Sequence, residues 1–187
     1  MPTRRKVLML LAGLPAATLV ACGEREQAAA ACEPIRLTED HDCALCGMTI
    51  VEYPGPKGQA CLRDGRILTF CSTHDLLAWA WQPESGPSIQ SLHVHDLSRT
   101  GWEEPSDETY MDAGEAVYVV GHDVRGAMGH SPAPFSAQTD ARAFAEQHGG
   151  HLVAFADLDF ESLRHGNGGH GGMMHGNGHG NDHGHGH

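Results

Sequence analysis

Neither end of this 187-residue chain has the composition of a core, so whatever folds must fold from the stretch between them. The chain opens Met1-Pro-Thr-Arg4-Arg5-Lys6, runs apolar over residues 7–21 and reaches Cys22, the basic, apolar and small-residue order of an export signal. That run is too short to be read as a spanning helix. At the other end, residues 165–187 hold little besides Gly, His and Asn with Met173-Met174, a composition that cannot bury apolar surface and is expected to stay disordered. About 130 residues remain, enough for one compact core or two small packed subdomains.

Leu19-Val20-Ala21-Cys22 has the form of a bacterial lipoprotein cleavage site, which makes residues 1–21 the signal peptide and Cys22 the acylated first residue. The expected location is the periplasmic side of a bacterial membrane, with the outer membrane favoured and the membrane bound through acyl chains on Cys22. Arg4-Arg5 is compatible with twin-arginine export as well as the general route. Removing the signal leaves nine basic against 24 acidic residues, a formal charge of −15. Nucleic acid is excluded as a partner for such a surface. The acidity suits attraction of cations or docking on a basic patch, and equally a solvated face that keeps the chain soluble.

Export places the cysteines where a disulfide is the default fate of a thiol pair. With Cys22 acylated, Cys32, Cys43, Cys46, Cys61 and Cys71 remain, an odd number that leaves at least one thiol free. Cys32 falls in the linker 22–37, of which residues 23–33 have little apolar bulk, and reads as a spare thiol or half of a disulfide. Cys43-Ala-Leu-Cys46-Gly-Met48 puts two thiols and a thioether within six residues, a soft donor set that selects Cu(I) over hard ions. The CxxC spacing alone also fits a redox disulfide or half of a zinc site. A redox pair wants a helix directly after it, whereas Gly47 and β-prone residues follow here. Zinc wants two further ligands, and Cys61 with Cys71, ten residues apart, leaves a four-cysteine site open. Met48 weighs toward Cu(I), because zinc has little use for a thioether, although a methionine also packs well in a core.

Residues 48–53 are β-prone, Pro54-Gly55-Pro56-Lys57-Gly58 is turn chemistry, and strands at 59–63 and 66–70 flank the hairpin turn Asp64-Gly65. Ser72 with Asp75 predicts a helix N-cap, Leu76, Leu77, Ala80 and Trp81 recur at helical spacing, and the helix should stop before Pro83. Residues 89–97 read as a strand with His93 and His95 on one face. A second stretch repeats the plan: strands at 110–113 and 116–120, Phe135, a cap at Ser136, and a helix through Ala141, Phe144 and Ala145 to Gly149-Gly150. An offset of 65 places Phe135 on Phe70, Ser136 on Cys71, Asp140 on Asp75 and Phe144 on Trp79, which reads as an internal duplication. A last strand at 152–155 and a closing helix at 157–163 follow. Single polar residues such as His74, Asp75 and His122 read as caps, turns and solvated surface, and no nucleophile, acid/base pair or phosphate loop suggests catalysis. The tail 164–187 carries His165, His170, His175, His179, His183, His185 and His187, a dispersed weak site for Cu(II), Ni(II) or Zn(II).

His41-Asp-Cys43-Ala-Leu-Cys46-Gly-Met48, Thr69-Phe70-Cys71 opening a helix, Met128-Gly129, Pro134-Phe135 and a helix closing at Gly149-Gly150 together resemble the nitrous oxide reductase accessory lipoprotein (NosL) family over residues 38–160. The resemblance implies an α+β fold of two similar ββαβ units, here 38–100 and 101–163. It implies a Cu(I) chaperone rather than an enzyme, with nitrous oxide reductase apoprotein and an ABC-type copper-centre assembly complex as partners. Carried onto matching positions, it implies Cys46 and Met48 as sulfur ligands and Met128 as a third from the other half, with Cys43 assisting or protecting the site. Apart from the resemblance, nearby His130 is a candidate nitrogen donor, although its place after Gly129 in a Pro-rich loop reads first as surface. Cys61 and Cys71 are not implied as ligands and read as packing residues or a disulfide; the His-rich tail is extra to the family pattern. The rival readings are a thiol-disulfide oxidoreductase using Cys43 and Cys46, and a general copper or nickel buffer.

Overall fold

The computed structural model describes residues 32–164; the signal peptide, Cys22 and the tail histidines from His165 onward lie outside the described residues. Strand β1 (Gly58–Leu62) is buried along its whole length because it pairs on both edges, antiparallel to β2 (Ile67–Phe70) and to β3 (Ile89–His95). Strand β4 (Tyr110–Asp112) adds to the far side of β3, giving the order β2-β1-β3-β4. Gly65 turns the β1–β2 hairpin at φ 85°, and Asp64 Oδ1 accepts from the Arg66 amide at 3.1 Å. Helix α1 (Thr73–Ala80) follows at once. Ser72 caps it by accepting from the Asp75 amide at 3.0 Å, and Leu76, Leu77 and Ala80 are buried beneath it.

The second sheet has the order β6-β5-β7, from β5 (Val117–Val120), β6 (Ala133–Phe135) and β7 (His151–Ala154), all antiparallel. Helix α2 (Gln138–His148) covers it, and a short helix α3 (Phe160–Arg164) brings Phe160 edge-on to Trp81 at 5.3 Å. In both sheets the earliest strand has its hairpin partner on one side and the strand after the helix on the other. Side-chain alternation along β5 serves two cores: Val119 packs with Ala133, Phe135 and Ala141 under α2, while Tyr118 and Val120 join Phe70, Leu76 and Val94 in the larger one. Tyr118 is fully buried, its hydroxyl donating to the Ala113 carbonyl at 2.7 Å.

Three local expectations are corrected. Residues 48–53 form no strand: Thr49 makes one bridge to Asp42, and Ile50–Glu52 is a single 3-10 turn with Ile50 buried. β-propensity becomes a strand only where a partner runs alongside, and this stretch pairs at Thr49 alone. The strand expected at 110–113 is β4, and it extends the first sheet rather than opening the second. Ser136 does not cap α2. Its hydroxyl donates to Asp96 Oδ2 at 2.6 Å and its amide to Asp96 Oδ1 at 2.9 Å, tying the turn after β3 to the start of α2, whose N-cap is Ala137.

Gly58 allows the close approach of α1 to the sheet, since a Cβ there would stand 2.7 Å from Leu76 Cβ. Gly58→Ala should therefore cost about 2 kcal/mol through overpacking. Chemical denaturation checks this, and a change below about 0.5 kcal/mol would show that the helix rides higher than described.

Candidate metal centre

The segment around the CxxC motif is a tight loop closed by its own backbone. The Cys43 amide donates to the Met48 carbonyl at 2.9 Å, the Gly47 amide to the Cys43 carbonyl at 2.8 Å, and Gly47 takes a φ of 75° that suits glycine. Two further bonds dock the loop on the end of β2: the Ala44 amide donates to the Thr69 carbonyl at 2.8 Å, and Thr69 Oγ1 donates to the Asp42 carbonyl at 3.1 Å. Cys43 is turned inward and buried, while Cys46 is exposed.

Docking on β2 brings the loop to the start of α1, where Cys71 precedes the capping serine. Sγ of Cys43, Cys46 and Cys71 and a carboxylate oxygen of Asp75 all lie within 4.8 Å of one another. Cys46 Sγ is 3.7 Å from Cys71 Sγ, and Asp75 Oδ2 is 3.4 Å from Cys43 Sγ and 3.5 Å from Cys71 Sγ, placed to accept from either thiol when protonated. His74 Nδ1 bonds the other Asp75 oxygen at 3.0 Å and so fixes the carboxylate. Asp75 serves twice, its backbone amide in the cap and its side chain in the cluster.

The electrostatics follow from crowding. The hydrogen bond from Cys71 lowers Cys43 to about 6 in spite of burial. That same bond, with burial and the Asp75 charge, pushes Cys71 well up, and burial raises Cys46. Burial alone would raise Asp75, but its bonds to His74 and the thiols outweigh this and hold it below the usual carboxylate range. Lys57, itself buried and lowered to about 8 by desolvation, directs its ammonium to the Tyr53 and Pro54 carbonyls. Thiolates are the form that binds metal, so a soft cation would displace the cluster's protons.

Sequence reasoning does not single out Cys71 and Asp75 as site residues; Cys71 is packed in the core and Asp75 takes part in the helix cap, as expected, and both also belong to the cluster. Cys71 comes from 25 residues beyond Cys46, and the available signal was a cysteine immediately before a capped helix start. The four-cysteine set is not assembled, because Cys61 is disulfide-bonded to Cys32. Met48 is half-buried against the main core. Met128 is 44% exposed on a turn closed by reciprocal Gly126–Gly129 backbone bonds. That turn lies against Gly55, and the chain beyond it is held at Ser131, whose hydroxyl accepts from the His74 amide at 3.1 Å. His130 Nδ1 is buried without a hydrogen-bond partner. His122, expected on the surface, is buried, with Nε2 bonded to the Ser131 carbonyl at 2.8 Å.

Burial lowers both His95 and His122 from the ordinary value near 6.5, more than the Asp107 and Ser131 bonds raise them. The unfolded chain therefore takes up these protons first, and stability present above about pH 6.5 is lost as the pH falls toward the depressed folded values. The melting temperature should be several degrees lower at pH 5 than at pH 7.5; a flat profile in thermal melts would contradict this.

Comparison with known proteins gives concordant matches. The family model for NosL matches residues 34–163. The chain is 44% identical over 150 residues to a protein of Stutzerimonas stutzeri named copper-binding lipoprotein NosL, an alignment covering 80% of this chain and 78% of that protein. It is 36% identical over 162 residues to a protein of the same name from Achromobacter cycloclastes, covering 84% and 82%. The crystal structure of the copper chaperone NosL from Shewanella denitrificans matches with a TM-score of 0.67 at 38% identity, covering 69% of this chain and 97% of that one.

Proposed function

Because the chain belongs to the NosL family, we propose that it is an exported, lipid-anchored metallochaperone that binds Cu(I) and delivers it for the copper-sulfur centre of nitrous oxide reductase. Its anchor is Cys22, its place the periplasmic side of the membrane, with the outer membrane favoured, and an ABC-type assembly complex its partner. The same reading takes the fold as two similar ββαβ units, with Cu(I) handled between them. The observation that carries it is Cys46: an exposed thiol at the mouth of an otherwise buried thiol and carboxylate cluster.

Cys46 supplies the thiolate, and the thioethers of Met48 and Met128 complete a soft, low-coordinate set. Thioethers are neutral and weakly held, so an acceptor's ligands replace them one at a time. The attachment of Ser131 to His74 supports a role for the Met128 turn, because it fixes that stretch of chain beside the helix start that carries Asp75. His130, with a buried unpaired nitrogen, is the candidate nitrogen donor. The tail histidines His170, His175, His179, His183, His185 and His187 gather Cu(II), Ni(II) or Zn(II) with little selectivity. Truncation before His165 should lower total Cu(II) capacity while leaving Cu(I) affinity within about threefold, or about 0.6 kcal/mol, by chelator titration; a larger Cu(I) loss would make the tail a ligand.

The test is transfer. Reduced full-length chain loaded with Cu(I) without oxygen should give up its copper to apo nitrous oxide reductase and restore the spectrum of the copper-sulfur centre. Retained copper with no transfer would leave a general copper buffer. A thiol-disulfide oxidoreductase would instead be trapped as a mixed disulfide by a Cys46→Ser variant.

A further inference from the structure

Resting on that Cu(I) reading, we propose that the ion has two positions on this chain: an inner, resting one among the thiolates of Cys46, Cys71 and Cys43, and an outer one at Cys46 with the thioethers, from which it is handed on. Cys46 belongs to both and is the pivot between them.

Geometry supports the inner position. Three thiolates around one ion at bond lengths of about 2.3 Å stand about 3.8–4.0 Å apart. Cys46 and Cys71 are already separated by 3.7 Å, and the three sulfurs and Asp75 all lie within 4.8 Å of one another. The donors come from two elements, the CxxC loop and the start of α1, and the bonds from Ala44 to Thr69 and from Thr69 to Asp42 fix one against the other. A preset arrangement loses little freedom when it closes on an ion.

Charge supports it too. Cys43, Cys71 and Asp75 are buried together, and a buried anion is costly without a compensating cation. His74 Nδ1 bonds Asp75 rather than a thiol, and Lys57 Nζ, close enough to feel the Cys71 charge, gives its hydrogen bonds to backbone carbonyls and none to a sulfur. A monovalent soft cation among the sulfurs offsets part of that charge at the point where it is densest. Neutral thioethers cannot offset charge in this way, and their contribution lies at the exposed end, where Met128 stands.

The experiment compares full-length wild type, Cys71→Ser, Cys46→Ser and Met128→Leu by anaerobic Cu(I) competition with bicinchoninate, and by the rate at which copper passes to that chelator in stopped flow. Cys71→Ser should weaken binding about tenfold and speed transfer; Met128→Leu should slow transfer with affinity within about threefold. Wild-type affinity and transfer rate in Cys71→Ser, with both lost in Cys46→Ser, would overturn the inner position and leave the chaperone reading standing. No change in Cys46→Ser would overturn both. Should Cys71→Ser lower the melting temperature, Cys43→Ser approaches the same set from the loop: it should also weaken binding and speed transfer, and wild-type values there would count against the inner position. The tail is present in every variant, so its contribution cancels.

Discussion

Cys46→Ala should weaken Cu(I) binding by about a hundredfold, or about 2.8 kcal/mol, in an anaerobic titration against a Cu(I) chelator. Cys46 is the exposed member of the cluster, so it is the thiol through which an ion from solution first makes a charged bond. Its removal leaves Cys43 and Cys71, both buried and both directed at one carboxylate oxygen of Asp75. Met48 and Met128 bring no charge and cannot replace a thiolate. Affinity within threefold of wild type would sink the assignment of Cys46 as the principal ligand.

The second large effect is on stability. Replacing Cys32 and Cys61 together by Ala removes a bond between residues 29 apart in sequence, and the chain-entropy estimate for such a loop is roughly 3–4 kcal/mol. The melting temperature should fall by about 10 °C or more. Cys61 is buried in β1, the strand with a neighbour on each edge, so the bond pins the segment before the CxxC loop to the interior of the first sheet. A fall of less than about 2 °C in a thermal melt, against the wild type under non-reducing conditions, would show that the rest of the fold holds residue 32 in place without the bond.

Much of the local structure was legible because short-range chemistry decides it. Ser72 and Asp75 announced the start of α1, Pro83 its limit, Asp64-Gly65 the hairpin and Gly149-Gly150 the end of α2. The motif cysteines were legible as chemistry, and Cys32 as half of a disulfide, though its partner was not. What spacing could not convey was which distant residues meet. Cys71 joins Cys46 through the docking of Ala44 on Thr69, a long-range backbone bond that no local pattern encodes. Asp75 looked like part of a cap because its amide is the one Ser72 caps; its carboxylate faces the loop packed against it. Residues 48–53 carry strand propensity, but propensity does not say whether a partner runs alongside, and here only Thr49 finds one before the chain turns.

The disulfide has a mechanical meaning as well. Cys32–Cys61 closes a covalent ring that contains the whole of the Cys43–Met48 loop. With the proposed membrane tether on its N-terminal side, any pull reaches the fold at Cys32. Tension arriving at Cys32 has a covalent path through sulfur into β1 that bypasses residues 33–60, the stretch that contains the loop presenting Cys46. A pull from the N-terminal side thus has a route into the first sheet that does not run through the Cys43–Met48 loop.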